Sequence, residues 1–372
     1  MELLIYLILF LLVLIVSSTT NKLLPFLPLP LVQIIFGIVI GLFLPNTDFH
    51  LNTELFLALV IGPLLFRESE EADITAILKH WRIIVYLIFP VIFISTLSLG
   101  GLAHLLWLSL PLAACLAVGA ALGPTDLVAF ASLSERFSFP KRVSNILKGE
   151  GLLNDASGLV AFQVALTAWT TGAFSLGQAS SSLIFSILGG FLIGFLTAMT
   201  NRFLHSFLLS VRATDIASEL LLELSLPLVT FFLAEEVHVS GIIAVVVAGI
   251  LKASRFKKIT LLEAQVDTVT ETVWHTVNFM LNGSVFVILG MELEMIAEPI
   301  LTNPIYNPLL LLLSLIALTF VLFAIRFVMI YGYYAYRTRR LKKKLNKYMK
   351  DMLLLTFSGV KGTVSIATIL LI

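Results

Sequence analysis

The stretch Ala121-Leu-Gly-Pro-Thr-Asp-Leu127 decides how the chain is read. It interrupts an apolar run that covers 111–133. Gly123 weakens a helix, and Pro124 removes an N–H and disfavours helical backbone at the residue before it. A helix broken inside an apolar run leaves backbone carbonyl and N–H groups without partners. At membrane depth such groups are tolerated only where they are buried in protein or line a watery cavity, and there they can coordinate an ion. Thr125 adds a hydroxyl and Asp126 a carboxylate. The alternative is a plain proline kink with a buried, satisfied acid, which leaves Asp126 without a purpose.

That reading requires lipid as solvent, and the composition supplies it. Of 372 residues, 59% are hydrophobic and 13% charged, against about 25% charged in an ordinary soluble domain. Mean hydropathy is +1.02. So few charges cannot cover the surface of a soluble protein this size, and so apolar a chain is not disordered. The single cysteine, Cys115, permits no internal disulfide. The run from Leu3 to Val16 lacks a basic leader and a small-residue cleavage site, so it reads as a first spanning helix and not a signal peptide. There is no Walker motif, dinucleotide fingerprint, Gly-x-Ser-x-Gly elbow or Cys/His cluster. No cofactor and no nucleic-acid partner is expected, and an enzyme is the least supported class.

Apolar segments lie near 2–18, 24–44, 51–66, 82–103, 111–133, 149–170, 182–204, 216–235, 240–252, 272–291, 307–336 and 351–372. The third and ninth are short. Twelve spans put alternate loops on opposite sides, and 22 of the 24 Lys and Arg then fall on one side. The positive-inside rule makes that side cytoplasmic and leaves the N-terminus outside, in a multi-pass protein of the plasma membrane. The basic run at 337–350 reads as topology rather than as a dedicated lipid or regulator site.

Five charged residues stand out inside the apolar segments as functional leads: Asp126, Glu150, Asp155, Arg326 and Lys361. Each costs about 3 kcal/mol at the bilayer centre unless it pairs, binds something or meets water. Glu150 and Asp155 sit in Lys148-Gly-Glu-Gly-Leu-Leu-Asn-Asp-Ala-Ser-Gly158. Five residues apart, they point to different partners around a helix. Asp155 is the deeper and can face Asp126. Arg326 cannot shed its proton and needs an anion. Glu150 is the acid left for it; the alternative is an arginine snorkelling to the interface. Lys361, in Gly359-Val-Lys-Gly362, marks a candidate second break late in the chain. Paired interruptions in corresponding halves point to a transporter built from inverted repeats. Glu68, Glu70, Glu71 and Asp73 form a solvated acidic loop or an ion funnel. Glu219 and Glu223 read as structural, and His275 as a packed histidine.

Carboxylates, a hydroxyl and freed carbonyls make a hard-oxygen site for a small monovalent cation or a proton. Burial and a neighbouring like charge both disfavour an ionised carboxylate, so it can exchange a proton near neutral pH. Competition of cation and proton for one carboxylate, with access from alternate sides, is antiport.

Gly123-Pro-Thr-Asp126 followed by Lys148-Gly-Glu-Gly-Leu-Leu-Asn-Asp-Ala-Ser-Gly158 resembles the cation/proton antiporter-1 family of sodium/hydrogen exchangers. Leu64-Leu-Phe66, Val287-Ile-Leu-Gly-Met-Glu292, Arg326 and Gly359-Val-Lys-Gly-Thr-Val-Ser365 carry the resemblance along nearly the whole chain. It implies an all-α polytopic membrane protein with inverted repeats and two discontinuous helices crossing near the midplane. Residues 1–372 would be one exchanger domain, and a thirteenth helix and a cytoplasmic tail would follow. The resemblance implies that Asp155 binds the cation, Na+ or else Li+ or K+, and the proton. Asp126 and Thr125 would complete the Na+ site, Asn154 would hold the broken helix, and Glu150 with Arg326 would form a structural ion pair. The Asn-Asp pairing implies electroneutral exchange, and the family implies a homodimer. Three positions depart from the pattern. Gly151 stands where Ser is frequent, Arg67 followed by Glu68 where an acid is frequent, and Gly-Val-Lys-Gly where Gly-Leu-Arg-Gly is frequent. Glu68 and Gly151 are therefore the uncertain members of the ion-binding set. The competing readings are a passive cation channel and a sodium-coupled organic anion transporter in which Arg326 binds the substrate carboxylate.

Overall fold

The structure is a computed structural model that describes residues 2–24, 26–43, 53–107, 110–125, 130, 138–171, 176–211, 215–253, 261–302, 308–340, 342 and 345–358. Among these residues the regular elements are helices, and none is a strand. They are α1 (Glu2–Leu23), α2 (Leu29–Phe43), α3 (53–70), α4 (Ile74–Leu78), α5 (Trp81–Leu106), α6 (Leu112–Leu122) and α7 (Lys141–Thr171). There follow α8 (Leu176–Ser210), α9 (Ile216–Glu236), α10 (Gly241–Ala253), α11 (Leu261–Thr302), α12 (Pro308–Arg340) and α13 (Met349–Phe357). Each of the twelve apolar segments carries a helix. Among the described residues, Trp81–Leu106, Ile184–Ser210, Ile216–Glu236, Thr268–Leu293 and Leu309–Arg340 are long and apolar enough to cross a membrane.

Helix ends differ from apolar ends where polar residues continue the same hydrogen-bond ladder. α7 begins at Lys141, directly after Pro140, eight residues before the apolar run starts. α3 contains a π-turn over Leu57–Ile61, and α5 contains another over Leu87–Val91. Both adjoin a proline. Pro63 and Pro90 cannot donate to the carbonyl four residues back, and their rings crowd it; a wider turn accommodates this without ending the helix. At the first, Gly62 N–H reaches back to the Leu57 carbonyl, a five-residue step. α4 is capped by Asp73, whose carboxylate accepts from Ala76 N at 3.0 Å and from the Thr75 hydroxyl at 2.6 Å. The Thr75 hydroxyl and then the Ala76 amide hold the Asp73 carboxyl below its ordinary value. The cap is therefore fully present above the ordinary carboxylate range and is lost as pH falls through the lowered value.

The helices pack as two groups. α3, α8, α9, α10 and α11 share a core of Phe66, Phe231, Val245, Trp274 and Val285, and α2 lies along α11. α5, α7, α12 and α13 share a second core of Ile83, Leu87, Ile146, Ile330 and Leu355, with Phe130 among them. α6 lies against α5 and α7. Its Cys115 is buried beside Leu99 and Leu318, packed as a small apolar side chain. Large apolar residues such as Phe185, Phe191, Phe203 and Phe320 face outward, as lipid-facing residues do.

The α2–α11 contact is backbone against backbone. A Cβ on Gly37 would strike the Val287 carbonyl, and one on Gly290 the Ile34 carbonyl. Without a hydrophobic force between helices in lipid, such close approach is what holds them. Gly37→Val and Gly290→Val are each expected to lower stability by about 1–3 kcal/mol, the usual cost of overpacking. Thermal unfolding in detergent, followed by size-exclusion fluorescence, checks this; unchanged midpoints would show that the helices part freely.

Candidate functional site

α6 stops at Leu122, where Gly123 N–H turns back to the Ala120 carbonyl at 3.3 Å and Pro124 offers no N–H. The non-helical Pro124 lies on α7 at Gly158, where any Cβ would collide with the proline ring. Gly158 thus lets the break sit directly on α7. Thr125 follows, and its side chain points into protein, only 2% exposed.

α7 presents Glu150 and Asn154 one helical turn apart, both fully buried. α12 brings in Arg326, 17 residues from Leu309 and 14 from Arg340, or about 26 and 21 Å along the axis. The guanidinium is therefore near the middle of its span. Arg326 Nη1 donates to Glu150 Oε1 at 2.7 Å and Nη2 donates to Oε2 at 2.8 Å, a two-pronged pair. Arg326 Nε donates to the Leu355 carbonyl of α13 at 3.0 Å. That carbonyl lies in the last turn of α13, where helix carbonyls run short of intrahelical donors. The Thr125 hydroxyl donates to Glu150 Oε1 at 2.6 Å and accepts from Asn154 Nδ2 at 2.9 Å and from Arg326 Nη1 at 3.3 Å.

The structure thus brings together Thr125, Glu150, Asn154 and Arg326. Arg326 is 2% exposed and does not snorkel. The Thr125 hydroxyl, with one donor and two acceptor positions, is filled by these partners. Its side-chain oxygen is therefore committed to protein partners. Asn154 meets Thr125 as expected of a residue holding the break. Gly151 lies in α7, buried, one residue beyond Glu150. Asp155 belongs to α7 next to Asn154, but its side chain lies outside the described residues, as do Asp126 and Lys361.

Glu68 sits half-buried on α3, in the other helix group. Its neighbours form an ionic network that sequence reading missed. Arg67 pairs with Glu70 at 2.9 Å and Glu71 at 2.7 Å. Lys252 pairs with Glu223 at 2.8 Å and Glu70 at 3.5 Å, and Trp274 Nε1 donates to Glu223 at 3.0 Å. Glu219 pairs with His205 at 2.6 Å. The two acids of α9 are structural, as their spacing implied. His275 is exposed, not packed, because the face of α11 that carries it is uncovered.

A family model described as sodium/hydrogen exchanger, transmembrane, matches residues 7–372. The chain belongs to that family. It is 35% identical over 363 residues to the sodium, potassium, lithium and rubidium/H(+) antiporter of Bacillus pumilus, covering 97% of this chain and 54% of the relative. It is 34% identical to the Bacillus subtilis protein of the same name, covering 95% and 53%. An uncharacterized Na(+)/H(+) exchanger of Escherichia coli is 30% identical over all of this chain and 69% of its own length. The chain thus spans about half the length of the two Bacillus relatives. Its fold is that of the sodium proton antiporter MjNhaP1 from Methanocaldococcus jannaschii, with a TM-score of 0.69 at 19% identity over 100% of this chain and 86% of that one.

Removing one partner of a buried ion pair leaves the other charge stranded. Glu150→Gln and Arg326→Met are each expected to destabilise by about 3–5 kcal/mol, and the double substitution by clearly less than their sum. Thermal unfolding of the three proteins in detergent measures this. Additive losses would mean that the two side chains do not depend on each other. Thr125→Val removes the shared hydroxyl and is expected to cost about 1–3 kcal/mol.

Proposed function

We propose that the chain is the membrane domain of an antiporter that exchanges a monovalent cation for a proton across the plasma membrane. The observation that carries this reading is the buried pair Glu150–Arg326, joined through Thr125 to the broken helix at membrane depth. The break at Gly123 and Pro124 packs on the helix that holds Asp155. In the proposed cycle Asp155 binds either the cation or the proton, and competition between them couples the two fluxes. Asp126 and the Thr125 carbonyl complete the hard-oxygen sphere. Asn154 steadies the break. Gly151 leaves room for a water where a larger side chain would bind directly, and Glu68 attracts cations on the approach. Na+, Li+ and K+ are all taken as substrates, in keeping with the names of the Bacillus relatives. The exchange is one for one and electroneutral, the protein works as a homodimer, and its N-terminus lies outside.

The organic-anion reading loses support from Arg326. Four of its five N–H donors are engaged by Glu150, Thr125 and Leu355. A substrate carboxylate would have to displace Glu150 in a dry interior.

In proteoliposomes with an imposed proton gradient, addition of Na+, Li+ or K+ is expected to dissipate the gradient. Asp155→Asn is expected to abolish this, with a loss of roughly a hundredfold or more, because the carboxylate at which cation and proton compete is then gone. Exchange at the native rate by Asp155→Asn would end the proposal. Clamping the membrane potential is expected to leave the native rate unchanged; a rate that follows voltage would show that charge moves in each cycle.

A further inference from the structure

α12 carries an outward apolar face that includes Leu309, Leu313, Ile316, Phe320 and Val328. Toward its C-terminal end the outward residues change to aromatic, with Tyr331 41% and Tyr336 70% exposed. Arg337, Arg339 and Arg340 follow in the last turn, all exposed. That order, apolar, aromatic and then basic, marks the level of the lipid headgroups. The chain then reverses. Lys342 has φ 50, a left-handed conformation seldom adopted by a side chain as long as lysine. A 3-10 turn over Leu345–Tyr348 leads into α13, which packs back on α12. The reversal keeps Lys347 and Lys350 at the same end of α12, and both are exposed, as is Lys342.

These six cations have no ion pair among the described residues. Other basic residues are engaged: Arg67 with Glu70 and Glu71, Lys252 with Glu223, Arg142 with Asp351. Asp351 is the single acid in the sequence between 337 and 358, and Arg142 takes it. Setting topology needs an excess of positive charge in a loop; it does not need six outward side chains at one end of a helix without an ion pair among the described residues.

We propose that the C-terminal end of α12, with the turn at Lys342 and the start of α13, binds the headgroups of anionic phospholipids. Arg337, Arg339 and Arg340 supply forked donors for the lipid phosphate. Lys342, Lys347 and Lys350 supply point charges around it, and Tyr336 lies in the glycerol region. The same two helices reach the site, since α12 also carries Arg326 and α13 offers Leu355 to it. The proposal concerns lipid binding and stands apart from the transport reading.

The test is photo-crosslinking of the purified chain in phosphatidylcholine vesicles containing about one-third phosphatidylglycerol, part of it carrying a headgroup photoprobe. Adducts are expected on peptides covering 337–342 and 345–350. Replacing all six cations by Gln is expected to cut their yield roughly tenfold or more. R337K/R339K/R340K, which keeps the charge, is expected to stay within about twofold. Adducts confined to other segments, equal yield from the Gln variant, or equal yield with a phosphatidylcholine probe would overturn the proposal. Loss of the adducts on adding inorganic phosphate, with ionic strength held constant, would assign the surface to a soluble anion and would overturn it too. If the Gln variant does not insert, the adduct map and phosphate competition on the native chain decide.

Discussion

A guanidinium held near the middle of a membrane span must keep an anion beside it, because it cannot escape the cost of its charge by losing a proton. Arg326 meets that constraint with Glu150, and much of the surrounding architecture follows. The pair fixes the register of α12 against α7. Its third arm, Arg326 Nε to Leu355, fixes the end of α13 against α12. Through Thr125 the same charges reach the non-helical residues after α6. A short irregular segment in an apolar interior has no ladder of its own to set its position. Here its position is set by one hydroxyl whose three hydrogen-bonding positions are all used.

Stability alone does not account for the pair. Apolar residues of similar volume can replace a buried ion pair at little cost or with a gain. Packing would then still join α7 to α12, but the two charged contacts to Thr125 would be lost and Asn154 alone would reach its hydroxyl. The pair's distinctive consequence is positional, since it orients donors and acceptors at the point where the helix breaks. The second helix group handles charge differently. Its network of Arg67, Glu70, Glu223 and Lys252 joins the end of α3 to α9 and α10, and its interior contacts are carried by Phe66, Phe231, Trp274 and close glycine approaches. One group thus keeps buried charge deep in a span, and the other keeps it toward helix ends.

The sequence makes legible what chemistry forces. A proline after a glycine in an apolar run announces the break. An arginine that must have a partner, with one acid left over, points to Glu150. Sorting of Lys and Arg by loop supports the number of spans. Other features obey geometry that residue types do not display. Nothing about Leu355 marks its carbonyl as an acceptor for Arg326; that depends on where α13 ends. The hydroxyl of Thr125 reads equally well as an ion ligand or as a bridge, and only its three neighbours decide. The π-turns near Pro63 and Pro90 are a way around proline inside spans that read as continuous, and no residue type displays the wider turn. The lysine at 342 carries no mark of its left-handed backbone. A lone histidine in an apolar run reads as packed; the exposure of His275 reflects an uncovered face of α11.

The cancellation of Arg326 by Glu150 also bears on charge movement in the proposed cycle. A free guanidinium beside the site would add a positive charge to every state and repel the cation. With the pair closed, Arg326 and Glu150 add no net charge to the site proposed at Asp126 and Asp155. A proton and a monovalent cation each add one positive charge to Asp155, so the loaded site carries the same charge in both directions. Electroneutral exchange then needs no further charged group to move. It needs only that the two ligands exclude each other at one carboxylate while Glu150 and Arg326 stay paired.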